Sequence, residues 1–220
     1  MANPAVFIEQ RNLPYADGVA LQRRLLSVAA DNPDAPGAVV FAEHLPVITC
    51  GRSGDGSNLL ASVEELGRAG IEFHSAGRGG DVTYHGPGQW TVYPVLRLDW
   101  YGRDLHHYLR LLEECVIRFL SYYGIEGGRR EGLTGAWVDG GKVAAVGVAV
   151  SRWITWHGFA VNIAPDLDRF TRFMHPCGIT ADKGSVASLS GLAGRHFDMD
   201  EVLPELRRAV AEVLDLEWRE

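Results

Sequence analysis

Arg78-Gly79-Gly80-Asp81-Val82-Thr83-Tyr84-His85-Gly86-Pro87-Gly88-Gln89-Trp90 is the stretch around which the chain is organised. It follows an apolar run, Ile71-Glu72-Phe73-His74, and leads into an alternating run that starts at Trp90. Glycine at this density allows positive φ angles or a close backbone approach, so an ordinary hairpin loop would account for it. A plain turn does not need Arg78, Asp81, Thr83, Tyr84, His85 and Gln89 together, and the stretch therefore reads as a ligand-binding loop on a rigid scaffold.

Upstream, Tyr15, Val19, Gln22, Leu25, Leu26 and Ala29 recur at helical spacing after the short apolar entry Val6-Phe7-Ile8, and Pro33, Pro36 and Gly37 stop the pattern. Residues 38–43 and 47–50 read as two strands joined by a turn at His44-Leu45-Pro46, a hairpin. Ser62 and Glu65 have the spacing of a capping box, with Gly70 at the far end of that helix. Downstream, residues 105–123 carry a strong amphipathic stripe that predicts the longest helix, with Cys115 on its buried face as an inert hydrophobe. His106 and His107 are adjacent and point to different sides, a poor metal pair. Residues 134–138, the turn Asp139-Gly140-Gly141, residues 142–150 and residues 153–163 predict three successive antiparallel strands. A short helical turn within 165–177 and an amphipathic helix from Asp198 or Asp200 complete the pattern. The expectation is one α+β domain over 1–220, with mixed, largely antiparallel sheets flanked by helices.

Composition narrows the function classes. The net charge of −7 and the lack of a basic run argue against nucleic acid. No apolar run approaches a membrane span, and the N-terminus lacks signal-peptide features, so a cytoplasmic protein is expected. Cys50, Cys115 and Cys177 are too scattered for a disulfide framework. His85, His157 and His175 with Cys177 or Cys50 match no standard zinc spacing, so no metal is expected. The glycine stretch lacks the lysine and hydroxyl residue of a phosphate loop and is not a dinucleotide fingerprint, which leaves ATP binding without direct support.

Two residues stand out as chemically competent. Cys177 lies between Pro176 and Gly178, outside any periodic pattern, where a bend could present it to a pocket. A thiol with pKa near 8.5 needs a neighbouring base or positive charge to react efficiently, and Lys142 and His175 are the candidates. Against this stands an ordinary loop cysteine packed under Ile179. Of the 21 basic residues only Lys142 and Lys183 are lysines. Lysine can lose its proton where arginine cannot. Lys142 opens an otherwise uncharged strand, either as a solvated hairpin end or as a desolvated base at the mouth of a cleft. Ala144, Ala145, Gly147 and Ala149 leave space beside that strand.

Four motifs, Arg78-Gly-Gly-Asp-Val-Thr-Tyr-His-Gly-Pro-Gly-Gln89, Gly141-Lys142-Val-Ala-Ala-Val-Gly147, Trp156-His-Gly-Phe-Ala-Val-Asn162 and Pro176-Cys177-Gly-Ile179, together resemble the octanoyltransferases of lipoate biosynthesis, in that family's order and over nearly the whole chain. No departure falls at those positions; Asp81 and Phe159 are points where the family varies. The resemblance implies a fold like that of biotin and lipoate protein ligases and a two-step acyl transfer without a cofactor. Cys177 would take octanoyl from octanoyl-acyl carrier protein, and a lysine of a lipoyl domain, in 2-oxoacid dehydrogenase complexes or the glycine cleavage H protein, would then accept it. Lys142 would be the base in both halves. Arg78, Gly79, Gly80, Asp81, Val82, Thr83, Tyr84 and His85, with Ala145, Val146, Gly147, Gly158, Phe159 and Ala160, would line the acyl pocket. The family also suggests a monomer, and Arg52, Arg78, Arg152, Arg169 and Arg172 are candidates for a basic rim facing acidic carriers. The competing readings are an ATP-dependent lipoate ligase, a transferase working between lipoyl domains, and a non-catalytic acyl-binding protein.

Overall fold

The computed structural model describes residues 2–175 and 184–219. In chain order the elements are β1 (Asn3–Leu13), α1 (Tyr15–Asp31), β2 (Gly37–His44), β3 (Val47–Cys50), α2 (Val63–Arg68), β4 (Glu72–Ser75), β5 (Val82–His85), β6 (Gln89–Val95), a 3-10 turn (Leu98–Tyr101) and α3 (Leu105–Ser121). Then follow β7 (Gly128–Arg130), β8 (Leu133–Val138), β9 (Gly141–Ser151), β10 (Ile154–Asn162), α4 (Asp168–Phe173), β11 (Ser185–Val186), α5 (Leu189–Ala193), α6 (Met199–Leu214) and β12 (Leu216–Arg219).

A large mixed sheet has the order β12-β1-β2-β6-β10-β9-β8-β7, with β11 added alongside β9, and a small sheet has the order β4-β3-β5. β1 runs parallel to both β2 and β12, whereas β2, β6, β10, β9 and β8 pair antiparallel. This is the α+β architecture expected from strand runs interleaved with helices. One face of the large sheet packs on α3 and α6, where Tyr108, Leu112, Cys115, Val116, Phe119, Leu206 and Val210 meet Phe41, Trp90, Val92 and Phe159. α1 covers the opposite face through Leu21, Leu25 and Ala29 against Val40, Ala42, Val95 and Ile154. The central strand β2 is therefore apolar on both sides rather than alternating. The small sheet has its own core with α2 and α4, in which Ile48, Leu66, Val82, Tyr84, Phe170, Phe173 and Met174 are buried.

The capping box at Ser62 and Glu65 forms with both reciprocal hydrogen bonds. Three sequence expectations change. β2 and β3 are not a hairpin: β2 pairs with β1 and β6, while β3 leaves for the small sheet and pairs with β4 and β5. The cause lies at His44, whose ring is buried and bonded to the Leu13 carbonyl and the Tyr93 hydroxyl, so that residue is a junction between sheets rather than a turn. The entry Val6-Phe7-Ile8 belongs to an eleven-residue strand, held by parallel neighbours on both sides. α1 matches α3 in length, both having 17 residues.

Candidate active site

The small residues of β9 and β10 build the floor of the site. Ala145 pairs with Ala160 and Gly147 with Gly158 across the two strands, a ladder with almost no side-chain volume. β5 and the loop at 78–80 lie over this ladder. The Gly79 N–H donates to the Val148 carbonyl at 2.9 Å, and Gly51, Arg52 and Ser53 donate to the carbonyls of Asp81, Arg78 and Gly80. A Cβ at position 147 would come within 2.9 Å of the Gly79 carbonyl oxygen and 3.3 Å of Arg78 Cδ. Only glycine lets the loop lie that close to the strand.

Between floor and loop runs a slot in two joined sections. The inner section is walled by Tyr15, Arg78, Gly80, Thr83, His85, Thr91, Tyr93, residues 145–147 and residues 157–160. The outer section is walled by Gln89, Lys142, Asn162, Phe170 and Val186 and shares Thr83, Ala145 and Ala160 with the first. Of three larger open grooves, those along 124–140 and between 60–69 and 166–173 contain none of the described residues singled out as catalytic or pocket-lining, and the third, beside Pro87 and Ala164, takes in Tyr84.

Lys142 reaches the slot because β9 carries a bulge. Ala136 pairs with Ala144 but Trp137 pairs with Lys142, so Val143 is an extra residue on β9. Without it, Lys142 would share the face of Ala144, which lies in the α3 and α6 core; with it, Lys142 shares the face of Ala145 and Gly147. The Lys142 side chain is 7% exposed, its Nζ sits 5.5 Å from the centre of the Trp137 ring, and no carboxylate lies within ion-pair distance of it among the described residues.

The slot is polar at its inner end. Arg78 is buried; its Nη2 donates to the Thr49 carbonyl and hydroxyl at 2.8 Å each, its Nη1 donates to the Gly79 carbonyl, and its Nε has no partner among the described residues. Tyr15 Oη, Gln22 Nε2 and His157 Nε2 are likewise buried without a partner among those residues. His44 Nδ1 donates to the Leu13 carbonyl, which leaves its Nε2 to accept from the Tyr93 hydroxyl at 2.7 Å. Gln89 Nε2 donates to the Tyr84 carbonyl and to Asn162 Oδ1, so its oxygen faces His85 and accepts from Nδ1 at 2.7 Å. Asn162 Nδ2 then donates to the Ala187 carbonyl, and the Ala187 N–H to the Lys142 carbonyl. A continuous hydrogen-bond chain thus links the inner slot to the lysine strand.

Burial pushes the three imidazoles far below their ordinary value of 6.5: His44 to about 4, and His85 and His157 to about 3, with the Arg78 charge adding to the effect at the last two. All three are neutral at pH 7. In the unfolded chain they take up protons below pH 6.5, while the native rings do not until about 4 and about 3. Stability is thus fully present above 6.5 and falls as the medium is acidified, by up to about 1.4 kcal/mol per pH unit for each ring. Denaturant midpoints at pH 7 and pH 5 are expected to differ accordingly, and His44→Gln to flatten the difference; equal midpoints would show that these rings are not held neutral.

The sequence-predicted residues divide into groups. Arg78, Gly80, Thr83, His85, Ala145, Val146, Gly147, Gly158, Phe159 and Ala160 line the slot, and Lys142 opens on it. Gly79, Asp81, Val82 and Tyr84 do not. Gly79 supports the loop through Val148, and Asp81 accepts from Asn58 Nδ2 at 2.5 Å. Val82 and Tyr84 point into the small-sheet core, with Tyr84 edge-on to Phe170, because alternate residues of β5 face opposite ways. Cys177 lies outside the described residues, between His175, whose N–H donates to the Asn58 carbonyl, and Val186, which pairs with Lys142. Of the rim candidates, Arg78 is buried, Arg152 is ion-paired with Asp31 and Arg169 with Asp166. Cys50 is half-buried outside the slot walls, and burial drives the Cys115 thiol upward. Tyr15, Thr91, Tyr93 and Phe170 were not singled out. A signal for the inner wall existed in Gln22, an amide on the apolar stripe of α1.

Residues 14–211 match the family model of the lipoyl protein ligase A/B catalytic domain. The octanoyltransferase of Gloeobacter violaceus is 41% identical over 96% of this chain and 91% of its own, and that of Syntrophotalea carbinolica is 46% identical over 86% and 85%. The chain belongs to this family. Among solved structures, the putative lipoate protein ligase of T. acidophilum with bound lipoic acid superimposes with a TM-score of 0.74 at 17% identity, over 100% of this chain and 89% of that one. The biotin protein ligase of Aquifex aeolicus superimposes with a TM-score of 0.51 at 12% identity, over 97% and 70%. These likenesses show the lipoate and biotin ligase fold. No helix among the described residues is long and apolar enough to cross a membrane.

Proposed function

We propose that the chain transfers an octanoyl group from octanoyl-acyl carrier protein to a lysine of a lipoyl domain, through a thioester on Cys177 with Lys142 as base. The observation that carries this reading is the placement of Lys142 at the outer end of a slot whose floor is the Ala145/Ala160 and Gly147/Gly158 ladder, with no carboxylate beside the amine among the described residues. In the first half, Lys142 takes the Cys177 proton, the thiolate adds to the thioester carbonyl, and the carrier thiolate leaves with that proton. In the second half the acceptor amine adds to the acyl-enzyme carbonyl. Cys177 leaves as thiolate, and Lys142 takes the proton that the amine loses. The donor is already activated, so neither half requires ATP.

The test is intact-mass measurement after mixing the protein with octanoyl-acyl carrier protein without ATP. One octanoyl group should be gained and then lost to an added lipoyl domain. Modification of the lipoyl domain only when octanoate and ATP are both supplied would replace this reading by the ligase one. Gly147→Val places methyl groups in the slot and against the Gly79 carbonyl. Octanoyl transfer should fall on the order of 10²-fold while a butanoyl donor is affected much less, because a shorter chain stops before the obstruction. Equal losses for both donors would argue that the slot does not hold the chain.

A further inference from the structure

Glu113 on α3 is fully buried, which is unusual for a carboxylate. Its Oε2 accepts from Arg110 Nη1 at 2.7 Å and from Arg129 Nε at 3.1 Å. Its Oε1 accepts at 2.9 Å from the backbone N–H of Gly135 on β8. Gly135 lies just before the register shift between Ala136 and Trp137, and its φ is +133°. A Cβ at Gly135 would lie 2.4 Å from the Ala144 carbonyl oxygen, 2.6 Å from Lys142 Cε and 3.4 Å from Lys142 Nζ. The space that a side chain would fill at Gly135 is the space through which the Lys142 stem runs.

We propose that Glu113 is a positioning residue for Lys142: by accepting the Gly135 N–H it holds β8 in the glycine-only conformation that leaves a channel for the lysine stem and aims its amine into the slot. A bulge leaves strand groups without ladder partners, and a buried N–H must find another acceptor. The carboxylate meets that need from the opposite layer, and the two arginines compensate its charge. Neither arginine side chain is itself buried, at 59% and 34% exposure, so if the carboxylate is removed Arg110 can turn to water and Arg129 keeps its bonds to Glu114 and the Arg110 carbonyl. The link to turnover rests on Lys142 acting as the base; the link to the lysine's position does not.

The chain has two lysines, Lys142 and Lys183, so protein labelled with ¹³C at lysine Cε gives two signals, assigned with Lys183→Arg. In Glu113→Leu the Lys142 signal should move and the Lys183 signal stay. Octanoyl transfer should lose on the order of 10²-fold in kcat, the consequence of misplacing a reacting group by about 1 Å, with KM nearly constant. Glu113→Gln keeps an oxygen for the Gly135 N–H and should restore both the signal and most of the rate. Should Glu113→Leu not fold, Arg129→Met, which removes one anchor of the carboxylate, carries the same comparison with smaller changes. An unmoved Lys142 signal in a folded variant overturns the proposal, as does a Glu113→Gln protein no better than Glu113→Leu. A moved signal with unchanged transfer upholds the positioning but removes Lys142 from the reaction, and with it the reading of the preceding section.

Discussion

Lys142→Met is expected to lower octanoyl transfer by roughly 10³-fold, within the 10²–10⁴ range that a positioned general base contributes, while leaving the fold intact. Methionine keeps an unbranched stem that fits the channel beside Gly135 and the contact with Trp137, so the bulge at Val143 has no reason to relax. What disappears is the group proposed to accept a proton in each half-reaction. Lys142→Arg provides the sharper comparison. It retains the positive charge, and a purely electrostatic role would survive it; a guanidinium does not give up its proton near neutral pH, so a base is lost as completely as with methionine. Steady-state rates with octanoyl-acyl carrier protein and a lipoyl domain decide between these roles. Arginine within tenfold of wild type would turn Lys142 into a fixed charge rather than a base.

On the proposed mechanism Cys177→Ala should have the largest effect of any single change, a loss on the order of 10⁴-fold or more, because removal of the proposed covalent nucleophile removes both half-reactions rather than slowing one. The described walls of both sections come from β5, β6, β9, β10, β11, α1, α4 and the loop at 78–80. The variant should therefore still bind the octanoyl donor while forming no covalent adduct. Single-turnover mass measurement beside a donor-binding assay separates the two outcomes. An alanine variant that transfers octanoyl without a covalent stage would mean that the amine attacks the carrier thioester directly, with Lys142 alone assisting.

Local patterns in the chain carried the elements well. The 3.6-residue stripes of α1, α3 and α6, the capping box of α2 and the turn at Asp139-Gly140 all depend on neighbours a few positions away, and periodicity reads such neighbours directly. Pairing across the chain was less legible. The separation of β2 from β3 depends on the buried His44 ring, whose partners Leu13 and Tyr93 are remote in sequence. The bulge at Val143 is equally silent, since Lys142-Val143-Ala144 has the composition of a regular strand and only the register against β8 reveals the extra residue. At the site, the glycine loop identified where the slot lies but not which of its side chains face inward. Strand alternation sends Thr83 and His85 to the slot and Val82 and Tyr84 away from it, and the phase of that alternation is set by the two cores on either side. The inner wall from α1 escaped because Tyr15 falls on a stripe that otherwise reads as apolar packing.

The parallel pairing of β12 with β1 bears on how the protein is made. Asn3 to Val6 align with Leu216 to Arg219, so the outermost ladder of the large sheet joins segments far apart in sequence. During synthesis, β1 can find β2 early, but its other edge stays open until residues 216–219 have left the ribosome. A nascent chain therefore carries an unsatisfied strand edge, with Phe7 still waiting for Trp218, while the whole stretch between them is translated. Such an edge is a template for the wrong partner. Chains stalled or cut before β12 should associate with one another even though every described residue of the slot is already present, which makes β12 a guardian of solubility rather than of catalysis.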